Sequence, residues 1–246
     1  MALPKLDTPT YEMTLPSTGK PVEFRPFLVK EEKLLLMALT EGATEADVLR
    51  AVKQVITNCV ISKDFNVGEI TGYDIEKIFL ELRSKSVGET ITLNFRHMQG
   101  KNRQGKECAT VTPVDIDINE IELKWKKKVD PKISLTDNIG IKVKHPSVDI
   151  ISEIAADKDK NEVNRIMALL RKCTEYIWDE SEIHKVEDAT DEELSAFFDT
   201  LTSEQFRKIE DFFQAVPKLE HTVTYQCKGC GEETQHTLKG LNDFFV

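Results

Sequence analysis

Five cysteines, at positions 59, 108, 173, 227 and 230, are the residues whose chemistry is easiest to read, and two of them form a motif. Cys227-Lys228-Gly229-Cys230-Gly231 has the C-x-x-C spacing at which two thiolates share one Zn²⁺ across a tight turn. Gly229 and Gly231 permit the left-handed or close-approach backbone that such a turn needs. Backbone N–H groups of the turn can then donate to the sulfurs and stabilise the thiolates. A redox C-x-x-C would normally open a helix in a βαβ unit. Here the motif lies between two strand-like runs, Thr222 to Gln226 and Thr234 to Leu238, which fits a zinc-ribbon knuckle. The alternative is a tight hairpin turn that holds no metal.

A structural zinc takes four ligands, and the knuckle supplies two. His221 and His236 each lie six residues from the nearest cysteine. At ~3.4 Å per residue, a regular strand puts them ~20 Å away, against Zn–N bonds of ~2 Å. The missing ligands must come from elsewhere, and the best donors are Cys108 and His97. They stand at opposite bases of a polar loop, Gln99 to Lys106, between two predicted strands. Pairing of those strands would bring them together. The expected metal site is therefore Cys227, Cys230, Cys108 and His97, a split site that staples the C-terminal ribbon to the central sheet. Four protein ligands leave no open position for water, which favours structure over hydrolysis. Cys59 and Cys173 each fall on the apolar stripe of a helix and read as core. His145 and His184 have no partner pattern and read as surface residues.

The elements that must position these residues follow from periodicity. Tyr11 to Leu15 alternates, Pro16-Ser17-Thr18-Gly19 turns, and Val22 to Val29 returns, which predicts a hairpin. Pro26 marks its second strand as an edge or a bulge. Helices are predicted over Lys30–Leu39, from the capping box at Thr44 to Ile61, and from Thr71 to a stop at Gly88. Strands follow at Thr90–Phe95, Ala109–Ile118 and Asn138–Lys144. Further helices are expected over Val148–Ala156 and Asn161–Trp178, with two more behind capping boxes at Thr190 and Thr202. The acidic stretch Asp179 to Glu193 is the best candidate for a mobile connection. The fold class is α+β: an N-terminal β-hairpin and helices, a central antiparallel sheet, and a C-terminal helical region ending in a zinc-ribbon-like hairpin. A boundary near residue 145 divides the chain into 1–145 and 146–246, although a split zinc site would make the whole one cooperative unit.

Other chemistry is sparse. No G-x-S-x-G, P-loop, H-E-x-x-H or G-x-G-x-x-G occurs, so no catalytic residues are assigned. Asp115, Asp117 and Glu120 recur along a strand region, where a solvated face outweighs a hydrolytic metal site. Lys124-Trp125-Lys126-Lys127-Lys128 is the one basic cluster with an aromatic, and it would carry the rival reading, a zinc-ribbon nucleic-acid-binding regulator. Lysines that blunt an edge strand explain it better. The 246 residues carry Lys+Arg 33 against Asp+Glu 43, a net charge of −10, which argues against a phosphate-backbone binder. Neither a signal peptide nor a membrane-length apolar run is evident. With an odd cysteine count, this points to a reducing compartment.

Several stretches together resemble the baseplate hub and hub assembly proteins of T-even-like contractile-tailed bacteriophages. They are Leu3 to Tyr11, Leu15 to Lys20, Arg25 to Lys33, Tyr73 to Glu89, the Cys227–Gly231 knuckle, and Leu241-Asn242-Asp243-Phe244-Phe245. The resemblance implies a viral protein made in the bacterial host cytoplasm during assembly, with the virion tail baseplate as its other expected location. It implies a non-enzymatic role in building the baseplate hub, through contacts with other baseplate and tail proteins. It brings no catalytic residues. From the residues themselves, two candidate partner-binding anchors stand out. One is Arg25 and Phe27 at a possible sheet edge, and the other is Phe244 and Phe245 in the apolar tail.

Overall fold

A computed structural model describes residues 7–38, 45–98, 108–125, 127, 129–156, 162–240 and 243. The N-terminal hairpin is formed by β1 (Tyr11–Thr14) and β2 (Pro21–Phe24), with Tyr11 opposite Phe24. Its second strand is shorter than expected. It stops at Phe24, ahead of Pro26, because proline has no N–H for the ladder. Three helices follow: α1 (Val29–Ala38), α2 (Glu45–Cys59) and α3 (Gly72–Ser86). Gly88, just beyond α3, has φ +129°. The long hairpin of β3 (Thr90–Arg96) and β4 (Val111–Asp117) comes next, then β5 (Glu122–Lys124), β6 (Lys132–Ser134) and β7 (Gly140–Val143).

The second half starts with α4 (Val148–Ala156) and α5 (Glu162–Cys173), followed by β8 (Thr174–Trp178) and β9 (Ile183–Lys185). It continues with α6 (Asp191–Asp199), α7 (Ser203–Gln214), β10 (Lys218–Gln226) and β11 (Glu233–Lys239). Two expectations are corrected here. The helix over Asn161–Trp178 ends at Cys173, because Thr174-Glu175-Tyr176-Ile177-Trp178 is β-branched and aromatic and pairs with β7. At the junction the Thr174 hydroxyl donates to Leu170 O at 2.7 Å, while Thr174 already pairs with Val143 in the sheet. The acidic stretch from Asp179 also holds defined elements. Asp179 accepts from the N–H groups of Ser181 and Glu182, β9 pairs with β8, and a 3₁₀ turn spans Val186–Asp188. The helices and several antiparallel sheets make this an α+β chain.

Two compact units result. The first joins residues 1–67, 73–124 and 218–246. It contains the N-terminal hairpin, the β3–β4 hairpin and a three-stranded sheet in the order β11-β10-β5. Leu80, Ile91, Leu93, Phe95, Ile116, Ile121, Leu219 and Leu238 belong to its core, and β3 buries every second residue against it. Val52, Val55, Ile56 and Cys59, the apolar face of α2, are also fully buried. The second unit joins residues 68–72 and 125–217 around the sheet β6-β7-β8-β9, with α4 to α7. Ile141, Leu170, Phe198, Ile209 and Phe212 lie in its core. His145, expected on the surface, is half-buried and stacks on Phe212 with centroids 4.3 Å apart.

Candidate metal centre

The pairing of β3 with β4 runs out at Arg96 opposite Val111, and one more bond, His97 N–H to Thr110 O at 3.0 Å, continues it. His97 therefore leaves the end of β3 while Cys108 precedes β4 by three residues, and both side chains are buried. β10 and β11 pair over seven residues, ending at Gln226 opposite Glu233. The turn they leave is closed by Gly231 N–H to Cys227 O at 2.8 Å and by Cys227 N–H to Glu232 O at 2.9 Å.

This turn rests on β4. Lys228 N–H donates to the Thr112 hydroxyl at 3.2 Å, and Phe95 of β3 stacks on Tyr225 of β10 with centroids 5.1 Å apart. The two glycines of the knuckle serve different needs. Gly231 sits at φ +78°, a left-handed conformation that a side chain disfavours. Gly229 is needed for proximity. A Cβ there would strike the Thr110 side chain, 2.8 Å from its Cβ and closer to its hydroxyl, and would come within 3.2 Å of Cys108 Sγ.

The structure brings His97, Cys108, Cys227 and Cys230 together, with one ligand atom from each lying within 4.8 Å of every other. Cys108 Sγ and Cys227 Sγ are 3.6 Å apart, and Cys230 Sγ is 3.3 Å from His97 Nδ1. A tetrahedral ion with Zn–S bonds of ~2.3 Å and Zn–N of ~2.0 Å sets S···S edges near ~3.8 Å and S···N edges near ~3.5 Å. These two edges fit those values, so the donor set and its spacing suit a metal ion. His221 and His236 are not part of the cluster. His236 instead packs against Phe95 at 5.1 Å.

Electrostatics within the cluster follow from hydrogen bonding and crowding. The Thr110 hydroxyl and backbone N–H, helped by His97, hold the Cys108 thiol down at about 6. The N–H groups of Cys230 and Gly229 lower that of Cys227 against the effect of burial. Cys230 accepts from the Glu232 N–H, which favours its thiolate, but burial and the neighbouring sulfurs outweigh this and raise its pKa. The Cys108 sulfur raises that of His97. Several acids crowded this way cannot all ionise alone, and a central cation removes the conflict. The other two thiols contrast with these. Burial, the largest cause, pushes Cys59 up to about 11 and Cys173 up to about 12 against nearby cationic side chains, and both are core residues.

The remaining candidates lie elsewhere. Phe27 is buried, and its N–H donates to the Ser86 hydroxyl at 2.9 Å. The Arg25 guanidinium is bonded within the protein, to Glu31 Oε1 at 3.0 Å, Asn58 O at 2.9 Å and Pro26 O at 2.9 Å. Phe244 and Phe245 lie outside the described residues, as do Lys126 and Lys128 of the basic cluster. Asp115 and Asp117 are exposed. One accepts from Thr92 and the other caps the 3₁₀ turn Ile118–Glu120, as expected of a solvated strand face. Sequence reasoning missed Thr110, which bonds with Cys108, Thr112, which bonds with Lys228 of the knuckle, and Glu232, which stands beside His97. The alternation of Thr110 and Thr112 beyond Cys108 was the available signal.

Among the described residues, no helix is long and apolar enough to cross a membrane. The chain is 26% identical over 235 residues to the "Baseplate hub assembly protein gp26" of Enterobacteria phage T4, a match covering 96% of this chain and 97% of that protein. No solved structure matches it. Residues 8–246 match the family described as "T4 bacteriophage base plate protein", so the resemblance read from scattered segments holds over nearly the full length, and the chain belongs to that family.

Proposed function

We propose that this protein acts, without enzymatic activity, in assembly or structure of the phage baseplate hub through contacts with other baseplate and tail proteins. The family match over residues 8–246 carries this reading. It is supported by the end-to-end likeness to a hub assembly protein. The rival nucleic-acid regulator gains nothing from either comparison, and a net charge of −10 disfavours it. The protein works in the cytoplasm of the infected bacterium, where tails are built, and reaches the virion if it stays in the baseplate. Co-expression with the other baseplate proteins of the same phage tests this. At least one of them is expected to co-purify, and failure of every one to associate would overturn the reading.

The cluster has a narrower part in this proposal. His97, Cys108, Cys227 and Cys230 hold one structural Zn²⁺ that fastens the β10–β11 turn to the ends of β3 and β4. Three thiolates and an imidazole complete a tetrahedron, and no position is left for substrate. When bound, zinc supplies charge compensation for the crowded sulfurs. Elemental analysis of untagged protein should find about one zinc per chain, as expected of a single four-coordinate site. Protein that is free of metal and equally stable would remove the staple.

A further inference from the structure

We propose that Glu232 is a positioning residue for the metal, holding the His97 ring so that Nδ1 is the ligating atom. The inference rests on the zinc reading above. Cys230 Sγ lies 3.3 Å from Nδ1, so that nitrogen is on the ligand side of the ring. A neutral imidazole that ligates through Nδ1 carries its proton on Nε2. The Nε2 atom points the other way, and Glu232 Oε2 stands 3.8 Å from it.

The two partners differ in a useful way. The His97 side chain is 5% exposed and is held by the fold, while that of Glu232 is 56% exposed. Closing 3.8 Å to a hydrogen bond of ~2.8 Å therefore asks for a small rotation of a long surface side chain and nothing from the core. The backbone of Glu232 is already fixed, because its carbonyl accepts from Cys227 N–H at 2.9 Å inside the knuckle. One residue thus closes the turn that carries two ligands and presents a carboxylate to a third. A carboxylate on the far nitrogen selects the tautomer, orients the ring and makes the ligating nitrogen more basic.

The test measures zinc affinity by competition with a chelating dye, using full-length protein. Glu232→Ala should weaken zinc binding about 10–100-fold, the range typical of lost outer-shell partners of metal-bound histidine. Glu232→Gln, which keeps an acceptor but loses its charge, should fall between Ala and the unaltered protein. Glu233→Ala is the control. Glu233 is exposed and adjacent, and the substitution removes the same charge without touching His97. It should change affinity less than about 3-fold. The cobalt-loaded Glu232→Ala protein should keep its thiolate charge-transfer band, showing that the sulfur ligands are retained. Equal affinity for Glu232→Ala and the unaltered protein would overturn the role of Glu232, as would an equal loss in the Glu233→Ala control. If the unaltered protein takes up no zinc, the metal reading itself falls and this inference falls with it.

Discussion

Glu76 shows how one half-buried carboxyl can shape a pH profile. It lies half-buried on α3, and desolvation raises its carboxyl to about 7, although the backbone N–H of Leu219 opposes the shift. Its folded pKa stands above its ordinary value of 4.5, so the protonated form is the one the fold prefers. The associated stability is fully present below about pH 4.5 and is lost as pH rises through about 7. Glu76→Gln should therefore match the unaltered protein near pH 4. It should unfold at higher denaturant concentration by pH 8, with the gap opening between these limits. Parallel pH profiles for the two proteins would contradict the assignment. Arg25 and Glu31 show the opposite solution. The Glu31 side chain is fully buried, and burial works against its charge. Hydrogen bonds from Arg25 and Leu28 N–H prevail and lower its pKa. Arg25 is spoken for by this pair. A partner reaching this segment would meet exposed Leu28 and Val29 before it met Arg25 or Phe27.

Elements were most legible where local chemistry decides them. The capping boxes predicted at Thr190 and Thr202 form, while the one predicted at Thr44 lies outside the described residues. Thr190 and Thr202 accept from the N–H of Glu193 and Gln205, and those side chains return to the cap N–H groups. Gln205 also reaches Leu135 O at 3.4 Å, so the box is tied to the strand side of its unit. Thr202→Ala should cost about 1 kcal/mol, as is usual for a lost N-cap. Urea unfolding would measure it, and no change would mean that α7 is held by the packing of Ile209 and Phe212 alone. The α5–β8 junction was not legible in this way. Val163, Ile166, Met167, Leu170, Cys173 and Ile177 keep helical spacing across it, so periodicity ran on past the helix. Ile177 is instead opposite Ile141 in the sheet. A three-residue strand such as β9 leaves too little periodic signal to stand out from an acidic connection.

At the scale of the whole molecule, the His/Cys cluster depends on segments far apart in the chain. Cys108 and Cys227 are separated by 119 positions, and their sulfurs are 3.6 Å apart. Closing such a long loop carries an entropic cost that grows slowly with length, and core burial together with any bound metal must offset it. The C-terminal ribbon belongs to the same compact unit as the N-terminal hairpin, because β10 pairs with β5 along Lys218–Glu220. That pairing sets the end of Lys124-Trp125-Lys126-Lys127-Lys128 against Lys218, with Lys124 in the ladder.

The sequence by itself determined the fold class, most of the helices, the two capping boxes and the identity of the four clustered residues. Each rests on local information: periodicity, a cap three residues from its partner, a C-x-x-C turn, and two residues at the bases of one hairpin loop. Only the tertiary structure decided that these pieces meet. It also decided that Gly229 is required by contact with Thr110, that Arg25 is consumed by Glu31, and that His97 faces Glu232. Those facts depend on which strand lies beside which, and long-range pairing is set by the burial of a shared core. Short-range spacing along the chain carries no record of it.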